Sequence, residues 1–168
     1  MGKNEILSAV RTVLTVVLLS LAVYTDVRER KVLNKHTFPA AVAGLVLCAV
    51  DSWKTALFRL AVIAVEVFSS VFGLMGMGDL KLLIALTAIW GFYPVLCALL
   101  GACAVMICFA FVTKPSEFLT ALVNVKNHFL YKTPIPTEGK TKYPFAVFIT
   151  AGFILTAVLQ SAGILSVF

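Results

Sequence analysis

Gly73-Leu74-Met75-Gly76-Met77-Gly78-Asp79-Leu80-Lys81 interrupts two strongly apolar runs with three glycines, a carboxylate and an ammonium. Soluble domains are about 45–50% apolar and about 25% charged. This chain is 61% hydrophobic and 13% charged, with a mean hydropathy of +1.01. No soluble core of 168 residues can hide that much apolar surface, so the expected class is an all-α, polytopic membrane protein. At membrane depth an ionisable side chain is costly, and Asp79 is therefore a functional-site candidate by default. Glycines beside it open the backbone to close approach by a neighbour or a ligand. Gly76 and Gly78 are the candidate supporting backbone.

Outward from this stretch, apolar runs of span length predict six transmembrane helices in one bundle. Their approximate bounds are 6–25, 37–50, 56–73, 80–92, 95–112 and 144–165. The first run follows Lys3 and Arg11 but has no A-x-A-like cleavage site, so it reads as a retained span. Asp51 to Lys54 and Gly91 to Pro94 read as turns. Gly101 and Ala102 are small packing positions. Phe118, Leu122, Val125 and Phe129 recur at helical spacing among polar residues. They predict an amphipathic helix lying in the interface near 116–130. No stretch is polar enough or long enough for a second domain, so residues 1–168 read as one integral-membrane unit.

Six spans alternate the loops between two faces. One face carries Arg28, Arg30, Lys31, Lys35, Lys81, Lys114, Lys126, Lys132, Lys140 and Lys142, and the other carries Lys3, Arg11, Lys54 and Arg59. The excess of basic residues makes the first face cytoplasmic and puts both termini outside. Asp26, at the end of the first span, then lies at the same face as Asp79. In a membrane chain the net charge of +6 speaks of orientation, and no nucleic-acid motif is present. Cys48, Cys97, Cys103 and Cys108 sit in apolar runs without a C-x-x-C pair. They read as small buried apolar residues, with no disulfide framework or metal site.

Two carboxylates at close range cannot both ionise, so one holds a proton while the other can act as a base. Such a pair can activate water and polarise a peptide carbonyl without a covalent intermediate. Competing chemistries lack their parts. There is no G-x-S-x-G elbow near His36 or His128, no H-E-x-x-H and no P-loop. His128 reads as a surface residue, Met75 and Met77 as packing. Glu66 lies ten residues before Gly76, about 15 Å along a helix, too far to join the pair. It reads as a structural carboxyl bonded to Ser69, Ser70 or Thr87.

Asp26-x-Arg28 with Asn34 eight residues after the Asp, then Gly76-x-Gly78-Asp79-x-Lys81-Leu82, resembles the type IV prepilin peptidases, membrane aspartic proteases of the Gly-x-Gly-Asp class. Pro144-Phe145-Ala146 at the last span resembles their C-terminal pattern. The resemblance implies Asp26 and Asp79 as the catalytic pair, no cofactor, and Arg28, Asn34 and Lys81 as candidate substrate or electrostatic contacts. It implies a prepilin-like or preflagellin-like substrate, cut after the small residue that ends a short basic leader, at the cytoplasmic face of the inner membrane. Leu33 stands where many members have Pro. The N-terminal segment with paired C-x-x-C motifs is missing, so the chain looks like the short form found in tight-adherence pilus or archaeal preflagellin peptidases. Methyltransferase activity is not expected of it. Two other readings stand beside this one. One is another Gly-x-Gly-Asp intramembrane protease. The other is a small ion-coupled transporter or scaffold, against which the absence of an internal repeat counts.

Overall fold

The structure is a computed structural model, and it describes residues 2–29, 32–71, 77–131 and 144–163. Gly73 and Gly76 of the opening stretch lie outside them, as do Arg30, Lys31, Lys132, Lys140 and Lys142. The side chains of Ser69, Ser70, His128 and Phe129 are likewise not described. Among the described residues the chain forms seven helices and no strand. They are α1 (Lys3–Glu29), α2 (Asn34–Asp51), α3 (Trp53–Val71), α4 (Met77–Trp90), α5 (Phe92–Thr113), α6 (Pro115–Tyr131) and α7 (Phe145–Ser161).

The expected all-helical class is observed. Two helices, Glu5–Glu29 and Phe92–Thr113, are long and apolar enough to cross a membrane by length and composition, and Phe145–Ser161 is a shorter apolar helix. The other three expected spans fall short for distinct reasons. α2 opens on the polar turn Asn34-Lys35-His36-Thr37. α3 carries Lys54, Arg59 and Glu66. α4 has 14 residues, about 21 Å at 1.5 Å per residue, against a hydrocarbon layer of about 30 Å.

The shortness of α4 has a packing explanation. Leu80, Leu82, Leu83, Ala85, Leu86, Thr87, Ala88 and Ile89 are all buried, which covers its whole circumference. A helix apolar all round is an interior helix, and α4 contacts α1, α2, α3, α5 and α7. Its closest neighbour is α2, where Gly44 sits so tightly that an added Cβ would lie 2.8 Å from the Ile89 nitrogen. α5 and α7 meet in the same way. A Cβ on Gly152 would overlap the Ala98 carbonyl oxygen and come within 2.6 Å of the Ala102 nitrogen, and one on Gly101 would lie 3.3 Å from the Gly152 Cα. Small residues thus let two backbones touch, as apolar helices without a solvent-driven force require.

Turns are tighter than expected. Ser52 alone separates α2 from α3, and Gly91 alone separates α4 from α5. Pro94, expected in a turn, falls in the first turn of α5, where its missing N–H costs no helical bond. Gly91 has φ 93° and ψ 175°, a region that L side chains avoid. Arg59 explains that corner. The charge count treats it as a loop cation, but it is buried. Its guanidinium donates to the carbonyls of Ala88 (3.0 Å) and Ile89 (2.6 Å), so it caps the C-terminal end of α4. The cysteines also divide: Cys48 is buried as expected, whereas Cys108 is exposed on the apolar surface of α5.

Large apolar side chains cover the outside, among them Val13, Val65 and Val112 at 63%, 68% and 78% exposure. The helix expected near 116–130 is α6, and α5 is its neighbour, through the Phe111–Phe118 edge-to-face pair at 5.8 Å. Leu122 and Val125 of its apolar face stay exposed.

Candidate active site

Asp26 occupies the last turns of α1, and Asp79 the first turn of α4, ahead of the apolar stretch 80–92. The two helices run antiparallel, with a tie at the far end: the Trp90 indole N–H donates to the Thr15 hydroxyl at 2.8 Å. Thr15 is 11 residues before Asp26, and Trp90 is 11 residues after Asp79. Both separations amount to about 16 Å of helix. Pairing at one end therefore sets the two carboxylates level at the other. They line one cavity of about 630 Å³ with Val32, Leu33, Asn34, Lys35, Gly78 and Lys81.

The electrostatics differ between the two groups. Asp26 is buried, and its Oδ2 accepts the backbone N–H of Ala146 at 2.9 Å. Ala146 is fully buried in the first turn of α7, whose N-cap, Pro144, has no side chain able to cap it. Asp26 thus caps α7 from another helix. The four leading N–H groups of a helix lack internal partners, and that end carries partial positive charge. α2 and α4 also begin at this cavity. Asp79 is half-buried. Burial, and secondarily the charge of Asp26, pushes its carboxyl above the ordinary carboxylate range. The arrangement favours the proton on Asp79, while Asp26 lies against the α7 N-terminus.

Of the other expected residues, Asn34, Lys81 and Gly78 line the cavity. The space beside Gly78 is not tight, since an added Cβ would meet Val32 at an ordinary 3.8 Å. Arg28 is turned elsewhere: it is exposed, and its guanidinium lies 5.8 Å from the Tyr24 ring and bonds the Tyr24 hydroxyl. Gly76 lies outside the described residues. Of the other lining residues, Leu33 was noted only as a departure from the family pattern and Lys35 only as a basic residue of that face, while Val32 and the Ala146 N–H were not singled out. Pro144 hinted at a helix start, but nothing local says which side chain meets it. Glu66 stays apart from the pair and accepts the Thr87 hydroxyl at 2.7 Å, one of the three partners expected for it. Among the described residues no three His, Cys, Asp or Glu side chains gather as a metal site.

Two carboxylates in one cavity at helix ends, one of them with its proton affinity raised, can deprotonate a water and polarise a carbonyl. No curated protein and no solved structure matches the chain. The type IV leader peptidase family matches it over residues 13–111, more than half its length and a range that holds both Asp26 and Asp79. On that match, with the all-helical apolar fold around it, the chain belongs to the type IV leader peptidase family.

Proposed function

We propose that the chain is a membrane aspartic endopeptidase that removes the short basic leader of type IV prepilin-like precursors. One observation carries the reading: Asp26 and Asp79, 53 residues apart in sequence, line the same cavity. Asp26 takes a proton from water while Asp79, protonated, donates a hydrogen bond to the scissile carbonyl oxygen. The hydroxide oxygen bonds to the carbonyl carbon, the tetrahedral intermediate collapses, the C–N bond breaks, and the leaving amine collects a proton from the pair. Asp26 is the base in this scheme because its oxygen faces the α7 N-terminus, and Asp79 the acid because burial holds its proton.

Lys81 and Asn34, lining the cavity, are polar contacts for the peptide backbone around the cut. The chain is then a single domain of six spans, five of them packed around α4, with α6 lying in the interface on its uncovered apolar face. It places the cavity toward the cytoplasm in the inner membrane and both termini outside, which is supported by the skew of basic residues to that face. It includes no methyltransferase activity. The test is a cleavage assay on a precursor with a basic leader, a Gly and an apolar helix, using the detergent-purified chain and mass spectrometry. The expected product begins just after the Gly. An uncut precursor, or cleavage inside the apolar helix, refutes the reading.

A further inference from the structure

A second cavity, about 730 Å³, opens between α1 and α7, with Trp90 of α4 in its lining. Its α1 wall includes Ser8, Thr12, Thr15, Leu19 and Val23. These recur every three or four residues, on one helix face. The next member of that series is Asp26. The α7 wall includes Thr150, Phe153 and Ala157, and the same spacing runs back from Thr150 to Ala146. Both walls therefore lead to the Asp26–Ala146 hydrogen bond. From Ser8 to Val23 the groove is about 22 Å long, or four turns of a helix.

Its threonine hydroxyls are already used. Thr12 donates to the Ser8 carbonyl, Thr15 to the Arg11 carbonyl and Thr150 to the Ala146 carbonyl, all within their own helices. The rim residues Ser20 and Ala157 are small and exposed. A surface of small side chains, threonines among them, accepts the close approach of another apolar helix. Thr15, Leu19 and Phe153 are buried and form the floor.

We propose that this groove binds the apolar helix of the precursor, the segment that follows the scissile bond, with its N-terminal end delivered to Asp26. The assignment rests on the peptidase reading. A peptide cut just ahead of an apolar helix needs a lane that starts at the carboxylates and runs down into the bilayer, and the α1–α7 groove has that origin, direction and length. Lipid chains and a second copy of the chain are the competing occupants.

A photo-crosslinking residue at Ser20 or, as control, at Val65 on the outer surface of α3 tests the docking without requiring turnover. The probe is the same precursor in liposomes. Crosslinks from position 20 into the precursor's apolar helix, absent from position 65, are expected. Equal crosslinking at both positions, or capture at position 20 of lipid or a second copy alone, overturns the proposal. Kinetics give the second readout. Ser20→Phe fills an exposed rim position and is expected to raise KM for the precursor about tenfold with kcat within twofold, while Val65→Phe changes neither. An unchanged KM in Ser20→Phe overturns it too. If the wild-type chain cuts nothing, the peptidase reading falls, and the crosslinks still decide whether the groove takes the helix.

Discussion

Asp26 holds two duties that substitution can separate. Asp26→Asn removes the charge but keeps an oxygen that can accept the Ala146 N–H, and Asn caps helices as well as Asp does. Asp26→Ala removes both. The Ala146 nitrogen is fully buried and bonded at 2.9 Å, so the alanine variant leaves it without its protein partner. An orphaned buried donor costs about 1–3 kcal/mol. With about 2–4 °C of Tm per kcal/mol for a chain of this size, a midrange loss of about 2 kcal/mol lowers Tm by about 4–8 °C relative to Asp26→Asn. Both variants should lose precursor cleavage by about 10²–10⁴-fold, the range for removing a general base. The assay pairs thermal unfolding in detergent, followed by far-ultraviolet circular dichroism, with mass-spectrometric cleavage rates. Equal Tm values for the two variants refute the cap. Cleavage by Asp26→Asn within tenfold of wild type refutes the base.

Asp79→Asn should abolish cleavage while the protein still inserts. The raised proton affinity of Asp79 means the folded chain holds a proton that the unfolded chain has released. Stability therefore falls as pH rises from the ordinary carboxylate pKa to the raised one. Asp79→Asn has no such dependence, so its Tm should gain on wild type across that window; a constant gap contradicts the assignment. For the same reason the basic limb of wild-type cleavage should lie above the ordinary carboxylate range, as a pH–rate profile reads out. Gly152→Ala drives a Cβ into the α7-facing backbone of Ala98 and Ala102, and should cost about 3 kcal/mol, the upper end for overpacking. Gly78→Ala meets only Val32 at 3.8 Å, and its stability in a thermal melt should change by less than about 1 kcal/mol. Gly91→Ala must adopt φ 93° beside the Arg59 guanidinium, and should cost about 1–3 kcal/mol in a thermal melt.

Local properties of the sequence were enough for the all-helical class, for the helix near 116–130, for the close-packing role of Gly101 and Ala102, and for bringing Asp26 and Asp79 to one end of the bundle. Each depends on composition, on spacing of three and four residues, or on counting charges along the chain. The skew of basic residues needs no contact to be read. Turn lengths were misjudged because Phe92, Tyr93 and Pro94 suit a helix start as well as a turn. Only neighbouring backbone decides between them: Arg59 holds the α4 carbonyls and leaves Gly91 as the single link.

Tertiary structure decided whatever depends on which helix lies beside which. The donor to Asp26 is 120 residues away and is a backbone N–H, so no side-chain motif announces it. Arg28 and Lys81 are equivalent as cations near a carboxylate in sequence, yet Lys81 lines the cavity and Arg28 folds back on Tyr24. The short α4 is too small to be recognised by length as an interior helix; the five helices around it make it one. The level alignment of the two carboxylates follows from the Thr15–Trp90 bond at the opposite end. A sequence lists what each helix carries, whereas register between helices is set by long-range contacts, and the chemistry of a carboxylate pair depends on that register.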